Sequence, residues 1–287
     1  MRPIARRYNP ATQARANLEG AMTEWGADDY NRQSALQRAM AEEQLSQLTL
    51  QGSERILDVG CGDGTITAAI AGRVPTGSVL GVDPSREMIA FASTHFGPPR
   101  HGNLRFDVAD VRKLPYRNEF DLVVSFNALH WVPQQTAALD SIHAAMKPGA
   151  RALLRFVGEG QRKCLEDVIE EVRKEETWTS YFPGFQKPYV HPLAENYRAL
   201  AEKCGFQVVH IRVEDKAWDF KTRDAFAAFA RATFVEWTKC LPENQRLAFI
   251  SDVLDRYQSL AADNPSELNT FKFYQLDVAL TSSAKAP

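Results

Sequence analysis

The segment Gly60-Cys61-Gly62-Asp63-Gly64 joins a short apolar run, Arg55 to Val59, to a helix-like stretch, Thr65 to Ala71. Glycines at such a junction let the chain turn sharply and let a ligand touch the main chain, while the helix start offers free N–H groups. A dinucleotide fingerprint wants a small residue three places after the second glycine; Thr65 stands there, which lowers the nicotinamide reading. Asp58, near the end of the first run, can reach a cationic amino group beside the loop. Asp83, after the second run, can accept hydrogen bonds from both hydroxyls of a ribose. A second chemical segment is Ser125-Phe126-Asn127-Ala128-Leu129-His130-Trp131-Val132. Here His130 and the Trp131 indole can hold a carboxylate, or His130 can take a proton from a hydroxyl or phenol. A histidine simply hydrogen-bonded under a lid is a third reading. Trp131 suits a pocket wall better than a specific donor, and Cys61 reads as a small filler, not a nucleophile.

The elements that must position these groups alternate. Strand-like runs occur at Arg55 to Val59, Ser78 to Val82, Asn103 to Phe106, Phe120 to Ser125 and Arg151 to Phe156. Helical stretches separate them at Thr65 to Ala71, Ser85 to Ala92 and Ala138 to Met146. This rhythm predicts right-handed crossovers and a parallel sheet covered on both faces. Before it, Asn31 to Leu48 reads as helix. After it, residues 158 to 203 read as mostly helical and carry Trp178, Tyr181, Phe182, Phe185 and Tyr189, either a substrate lid or the core of a helical insertion. Phe206 to Val213 and Asn269 to Leu280 look like late strands, with helices at Asp224 to Lys239 and Glu243 to Leu260 between them. There, Trp218, Phe226, Phe229, Phe234 and Trp237 fit helix-packing positions. The organisation expected is a tail and helical cap (1–50), a core (51–157) completed by 204–215 and 268–281, and helical substrate-lid segments (158–203 and 219–267).

With the loop, the two aspartates and their strands in place, Ile56 to Gly64 resembles the first motif of class I S-adenosylmethionine-dependent methyltransferases. Val82-Asp83, Asp110-Val111, Phe120 to Val123 and Met146-Lys147-Pro148-Gly149 match that family's later landmarks in order, over roughly residues 51 to 157. The resemblance implies a Rossmann-like α/β fold, a seven-stranded mostly parallel sheet with an antiparallel last strand, and S-adenosylmethionine as cofactor. It implies that Gly60, Cys61 and Gly62 line the cofactor's amino-acid portion with Asp58 beside them, and that Asp83 and Pro84 meet the ribose. Met88, Asp110 and Val111 would surround the adenine, and Asn127 would lie beside the sulfonium.

The Leu129-His130-Trp131 element resembles the small-molecule branch that contains trans-aconitate and juvenile-hormone-acid methyltransferases, which esterify carboxylates. Trp25, Tyr30 and the stretch from Asn31 to Gln37 look like the helical cap of that branch. Tyr30, Ser34 and Gln37 share one helical stripe, which would bring Tyr30 and Gln37 to the cofactor and Gln37, with His130 and Trp131, to the reaction. A carboxylate acceptor is ionised at neutral pH and needs no base, whereas a hydroxyl does. The reading is therefore a small-molecule methyltransferase that favours a carboxylate. The alternatives are a hydroxyl, phenol or amine methyltransferase using His130 as base, and a cofactor-binding module without chemistry.

Composition excludes several other classes. The 287 residues hold 34 Lys+Arg against 36 Asp+Glu, a net charge of −2, which argues against a broad face for nucleic acid. No apolar run nears the roughly 18 residues of a membrane span. Residues 125–132 contain neither the N/D-P-P-Y/F pattern of exocyclic-amine DNA methyltransferases nor a Pro-Cys nucleophile. Cys61, Cys164, Cys204 and Cys240 are widely spaced, so neither a disulfide framework nor a metal site is expected, and reduced thiols fit a cytoplasmic protein. Arg2, Arg6, Arg7 and Arg15 make the start of the chain basic, which fits a loose tail or a targeting segment.

Overall fold

A computed structural model describes residues 35–98 and 100–283. After α1 (Ala35–Gln47), strands and helices alternate: β1 (Arg55–Val59), α2 (Thr65–Ala71), β2 (Ser78–Asp83), α3 (Arg86–Phe96), β3 (Leu104–Val108), β4 (Phe120–Phe126), α4 (Gln135–Ala145) and β5 (Met146–Gly158). Then come α5 (Leu165–Val172), α6 (Ala194–Lys203), β6 (Phe206–Asp219), α7 (Arg223–Thr233), α8 (Val235–Thr238), α9 (Glu243–Ala261) and β7 (Thr270–Ser282). The strands form one seven-stranded sheet in the order β3-β2-β1-β4-β5-β7-β6, and β7 runs antiparallel to both its neighbours. That is the Rossmann-like sheet the motifs imply. The strand order reverses between the parallel neighbours β1 and β4, where a crevice opens outside the carboxyl ends of the strands.

Alternation along each strand feeds two cores. In β1, Ile56 packs with Leu122 and Val124 on one face, while Leu57 and Val59 pack with Val82 and Val123 on the other. Such strands, apolar on both faces, suit a parallel sheet covered by helices on each side. A third core lies beyond the end of the sheet, and it includes Leu165, Trp178, Phe226, Trp237, Phe249 and Phe271.

Two elements depart from expectation. The pairing of β6 with β7 continues to Asp219–Thr270, well past Gly158–Tyr274, the last pair between β5 and β7. This two-stranded extension carries Phe271 and Phe273, stacked with centroids 4.8 Å apart, into the third core. Residues 158–203 are less helical than expected: between α5 and α6 the described chain holds only a short 3-10 turn, Thr179–Tyr181. Pro183, Pro188 and Pro192 remove N–H donors there, and Gly184 turns at φ +68°. Trp178, Phe182 and Tyr189 are buried in the third core, with Tyr181 and Phe185 partly buried against it.

Arg155 on β5 ties α1 to the sheet. Its side chain is only 1% exposed, and it donates to the Met40 carbonyl (3.1 Å) and to Glu43 (3.3 Å) of α1 and to Glu214 (3.0 Å) of β6. Lys216 closes the network with Glu43 at 2.9 Å and Glu214 at 2.7 Å. Arg155→Ala should therefore cost about 2–3 kcal/mol in urea unfolding, through lost packing of the stem and lost charge-assisted hydrogen bonds. A change below about 0.5 kcal/mol, the range of ordinary surface substitutions, would contradict that role.

Candidate active site

The turn after β1 is fixed by its backbone. Gly60 and Cys61 both donate to the Val82 carbonyl at the end of β2, at 2.8 and 3.1 Å. Gly60, Gly62 and Gly64 all have positive φ. At Gly60 the requirement is also steric, because a Cβ there would lie 2.2 Å from the Ala128 Cβ. The Gly62 amide donates to the Asp83 carboxylate at 3.1 Å, and the Ser85 amide donates to its other oxygen at 2.9 Å. Asp83 is thus held in one orientation across the gap between two strand ends. Ser85 then caps α3, accepting from the Met88 amide at 3.2 Å.

Beyond β3, the Asp110 side chain accepts from the Arg112 amide and caps the 3-10 turn Val111–Lys113. Burial alone would raise this carboxyl, but the Arg112 guanidinium outweighs it and holds Asp110 below the usual carboxylate range. Beyond β4, Asn127 turns at φ +57° and the 3-10 turn Leu129–Trp131 follows. Gln135 fixes that turn by donating to the Leu129 and Val132 carbonyls at 2.7 and 2.6 Å.

These turns open onto one cavity of about 470 Å³, a size usual for small-molecule sites. Gly60, Gly62, Asp83, Pro84, Met88, Asp110, Val111, Asn127, His130 and Trp131 all line it. Asp58 and Cys61 do not. Asp58 is turned into the protein, where it accepts from the Thr67 hydroxyl at 2.7 Å. Cys61 is buried and would meet a side chain added at Gly81. Gln37 falls on α1; its side chain lies outside the described residues, as do Trp25, Tyr30 and Ser34.

His130 is 4% exposed, and its Nδ1 is buried without a hydrogen-bond partner among the described residues. Burial, with His191 adding to it, pushes this imidazole well below the usual histidine range, so it is neutral at physiological pH. The rest of the wall contains residues that no motif announces: Phe229, Thr233, Phe234, Glu236 and Trp237 from α7, α8 and the residue between them, and Phe271 and Phe273 from the extended β7; Trp237 packs edge-on to Trp131 with centroids 6.0 Å apart. Glu166 and Lys187 join them from the insertion. Phe229, Phe234 and Trp237 are core residues, as their spacing suggests, yet they also face the cavity. The glycine turn suits a ligand at close range, since a Cβ at Gly62 would meet nothing within 4 Å. A fixed carboxylate stands at the next strand end. These features fit a nucleoside cofactor.

Comparison with known proteins agrees with the geometry. The model of a family described as "Methyltransferase domain" matches residues 56–149. The juvenile hormone acid O-methyltransferase of Bombyx mori is 26% identical, over 65% of this chain and 70% of that one. The trans-aconitate 2-methyltransferase of Variovorax paradoxus is 33% identical, over 55% of this chain and 59% of its own. In fold, the chain is similar to a phosphoethanolamine N-methyltransferase of Haemonchus contortus solved with S-adenosyl-L-methionine. That similarity has a TM-score of 0.59 and 18% identity, over 90% of this chain and 57% of that one. Residues 56–149 thus match a methyltransferase domain, and the findings together support a class I S-adenosylmethionine-dependent methyltransferase.

One group in the site carries a pH signature. Burial pushes the Asp58 carboxyl up to about 7 from an ordinary 3.8, against the pull of Thr67 and with help from Asp83. A native pKa above the unfolded one means that this group's stabilising contribution is complete below the unfolded value and is lost as pH rises through about 7. In ligand-free protein, Asp58→Asn should flatten the fall in unfolding free energy between about pH 5 and 7.5. Equal slopes for the two proteins in urea titrations would count against this.

Proposed function

We propose that this methyltransferase transfers a methyl group to the carboxylate of a small organic acid with an apolar body. The observation that carries the reading is the burial of His130 on the cavity wall, with Nδ1 unpartnered among the described residues. An imidazole whose cationic form is disfavoured by burial is a weak proton acceptor, so it serves poorly as the base that a hydroxyl would need. A carboxylate arrives already ionised. The unpartnered Nδ1, in its N–H tautomer, can donate one hydrogen bond to such an acceptor.

The charges on the cavity wall favour one carboxylate over several. The described wall carries Asp83, Asp110, Glu166 and Glu236 against Arg112 and Lys187. Arg112 is engaged by Asp110 at 2.6 Å, and Lys187 sits 3.4 Å from Asp167. A polyanion would meet repulsion there, whereas an apolar body can lie against Phe229, Phe234, Trp237 and Phe271. The resemblance to carboxylate-esterifying relatives supports the same class, including the silkworm enzyme, whose name specifies a hormone acid.

In this reading Gly60 and Gly62 approach the amino-acid portion of the cofactor. Asp83 and Pro84 meet the ribose, and Met88, Asp110 and Val111 flank the adenine. Asn127 lies toward the reacting end, with Gln37 and Tyr30 contributed by the cap. Asp58 acts from behind the glycine turn, as does the filler Cys61. Bound S-adenosylmethionine supplies an electrophilic methyl on a sulfonium. The protein's part is to align the acceptor against His130, Trp131 and the aromatic wall that Trp131 joins, and to exclude water.

Incubation with methyl-labelled cofactor and a panel of acids should yield base-labile esters from apolar monocarboxylic acids and little from tricarboxylates. Alkali-stable ethers or methylamines would overturn the carboxylate assignment. Asp83→Ala should weaken cofactor binding by about 1–3 kcal/mol, the loss expected for a charged hydrogen-bond acceptor. Unchanged calorimetric affinity would contradict its role. His130→Asn should lower the rate on a carboxylic acid by about tenfold or less, as positioning requires, because general-base catalysis contributes about 10²–10⁴-fold. A loss of more than about 100-fold would point to base catalysis.

A further inference from the structure

Outside the motifs, Cys164, Glu166 and His191 bring a thiol, a carboxylate and an imidazole together at the foot of α5. One donor atom from each lies within 4.8 Å of the other two. The Cys164 sulfur is 3.0 Å from His191 Nδ1 and also 3.0 Å from an Asp167 carboxylate oxygen. With its proton on Nδ1, His191 donates to the sulfur while the thiol donates to Asp167. Two further atoms are left over: Glu166 Oε2 and His191 Nε2 are both buried without a hydrogen-bond partner among the described residues. Buried polar atoms normally have partners, so orphaned atoms around one thiol call for a missing group.

We propose that Cys164, Glu166 and His191 bind a divalent cation of the zinc class. Tetrahedral zinc with one sulfur and one nitrogen ligand holds those atoms about 3.6 Å apart, from bond lengths of about 2.3 and 2.0–2.1 Å. The Cys164 Sγ to His191 Nδ1 separation of 3.0 Å is about 0.6 Å shorter, so binding opens this pair slightly, and all three donor atoms already lie within 4.8 Å of one another. Sulfur and imidazole select zinc-like metals over magnesium or calcium, which prefer all-oxygen shells. Asp167 is already held by the Tyr189 hydroxyl at 2.8 Å and by Lys187 at 3.4 Å, so it orients the cluster and leaves the fourth position open. The cation clasps the start of α5 to the proline-rich segment that ends at His191. Because Glu166 and Lys187 line the cavity, the clasp also braces part of its wall. Binding exchanges the Cys164 thiol proton, released to solvent, for a sulfur–metal bond; no electrons change hands. The inference does not depend on which acceptor is methylated.

The spacing in sequence conceals this group. The cysteine and histidine are 27 positions apart, with no C-x-x-C or H-x-x-x-H signature, so the sequence-based expectation of no metal follows from motif spacing alone. The test is titration of chelator-treated full-length protein with cobalt(II) alone. The expected result is a near-ultraviolet thiolate-to-cobalt charge-transfer band that saturates at one equivalent and is lost on adding zinc. Cys164→Ser should abolish the band, whereas Cys204→Ser and Cys240→Ser should retain it. Outer-sphere partners alone are worth about 10–100-fold in affinity, so His191→Asn and Glu166→Gln should each weaken binding by about tenfold or more. Glu166→Gln preserves shape at an oxygen that makes no hydrogen bond, so it reports on the metal even if Cys164→Ser folds poorly. No charge-transfer band in the wild type, a band that survives Cys164→Ser, or unchanged affinity in Glu166→Gln would overturn the assignment.

Discussion

The active site rests on a backbone clamp between two neighbouring strand ends. Two amides of the glycine turn donate to the same Val82 carbonyl of β2, and a third fixes the carboxylate of Asp83, the next residue. This clamp requires left-handed backbone at Gly60 and Gly62, and it requires Ala128 to approach where any larger residue at position 60 would collide. Parallel pairing of β1 with both β2 and β4 makes the approach available, because all three strands end on the same side of the sheet. A shift of β1 by one residue would exchange Ile56 for Leu57 across the two cores, so the packing that stabilises the fold also fixes the register of the turn.

Around this constant part the cavity is completed by chain that is distant in sequence. The extended pair β6–β7 leaves the sheet and delivers Phe271 and Phe273, while α7 and α8 deliver Phe229, Phe234 and Trp237. These residues serve two purposes, filling the third core and lining the cavity. The acceptor side is therefore built into the hydrophobic core of the helical layer. Changes in acceptor preference at these positions are coupled to stability.

What could be read from the sequence follows from locality. The glycine turn, Asp83, Asp110 and the Leu129-His130-Trp131 turn each sit at a strand end, where alternating apolar runs and turn residues mark the position within a few residues. The aromatic wall has no such marker. Phe229 and Trp237 have ordinary helix-packing spacing, and only the fold brings them to the cavity that His130 lines. Lys187 and Glu166 were hidden for the same reason, lying in an insertion whose prolines broke the expected helices. Asp58 shows the converse: its place at the end of β1 was legible, but its hydrogen bond to Thr67, which turns it away from the cavity wall, was not.

The account is tested most directly by a crystal structure with S-adenosylhomocysteine and an apolar monocarboxylic acid. It predicts the ribose hydroxyls on the Asp83 carboxylate and the acid's carboxylate between His130 and the thioether sulfur. The apolar body should lie against Phe229, Trp237 and Phe271. A nucleoside that avoids Asp83, or an acid whose carboxylate points away from the sulfur, would contradict it.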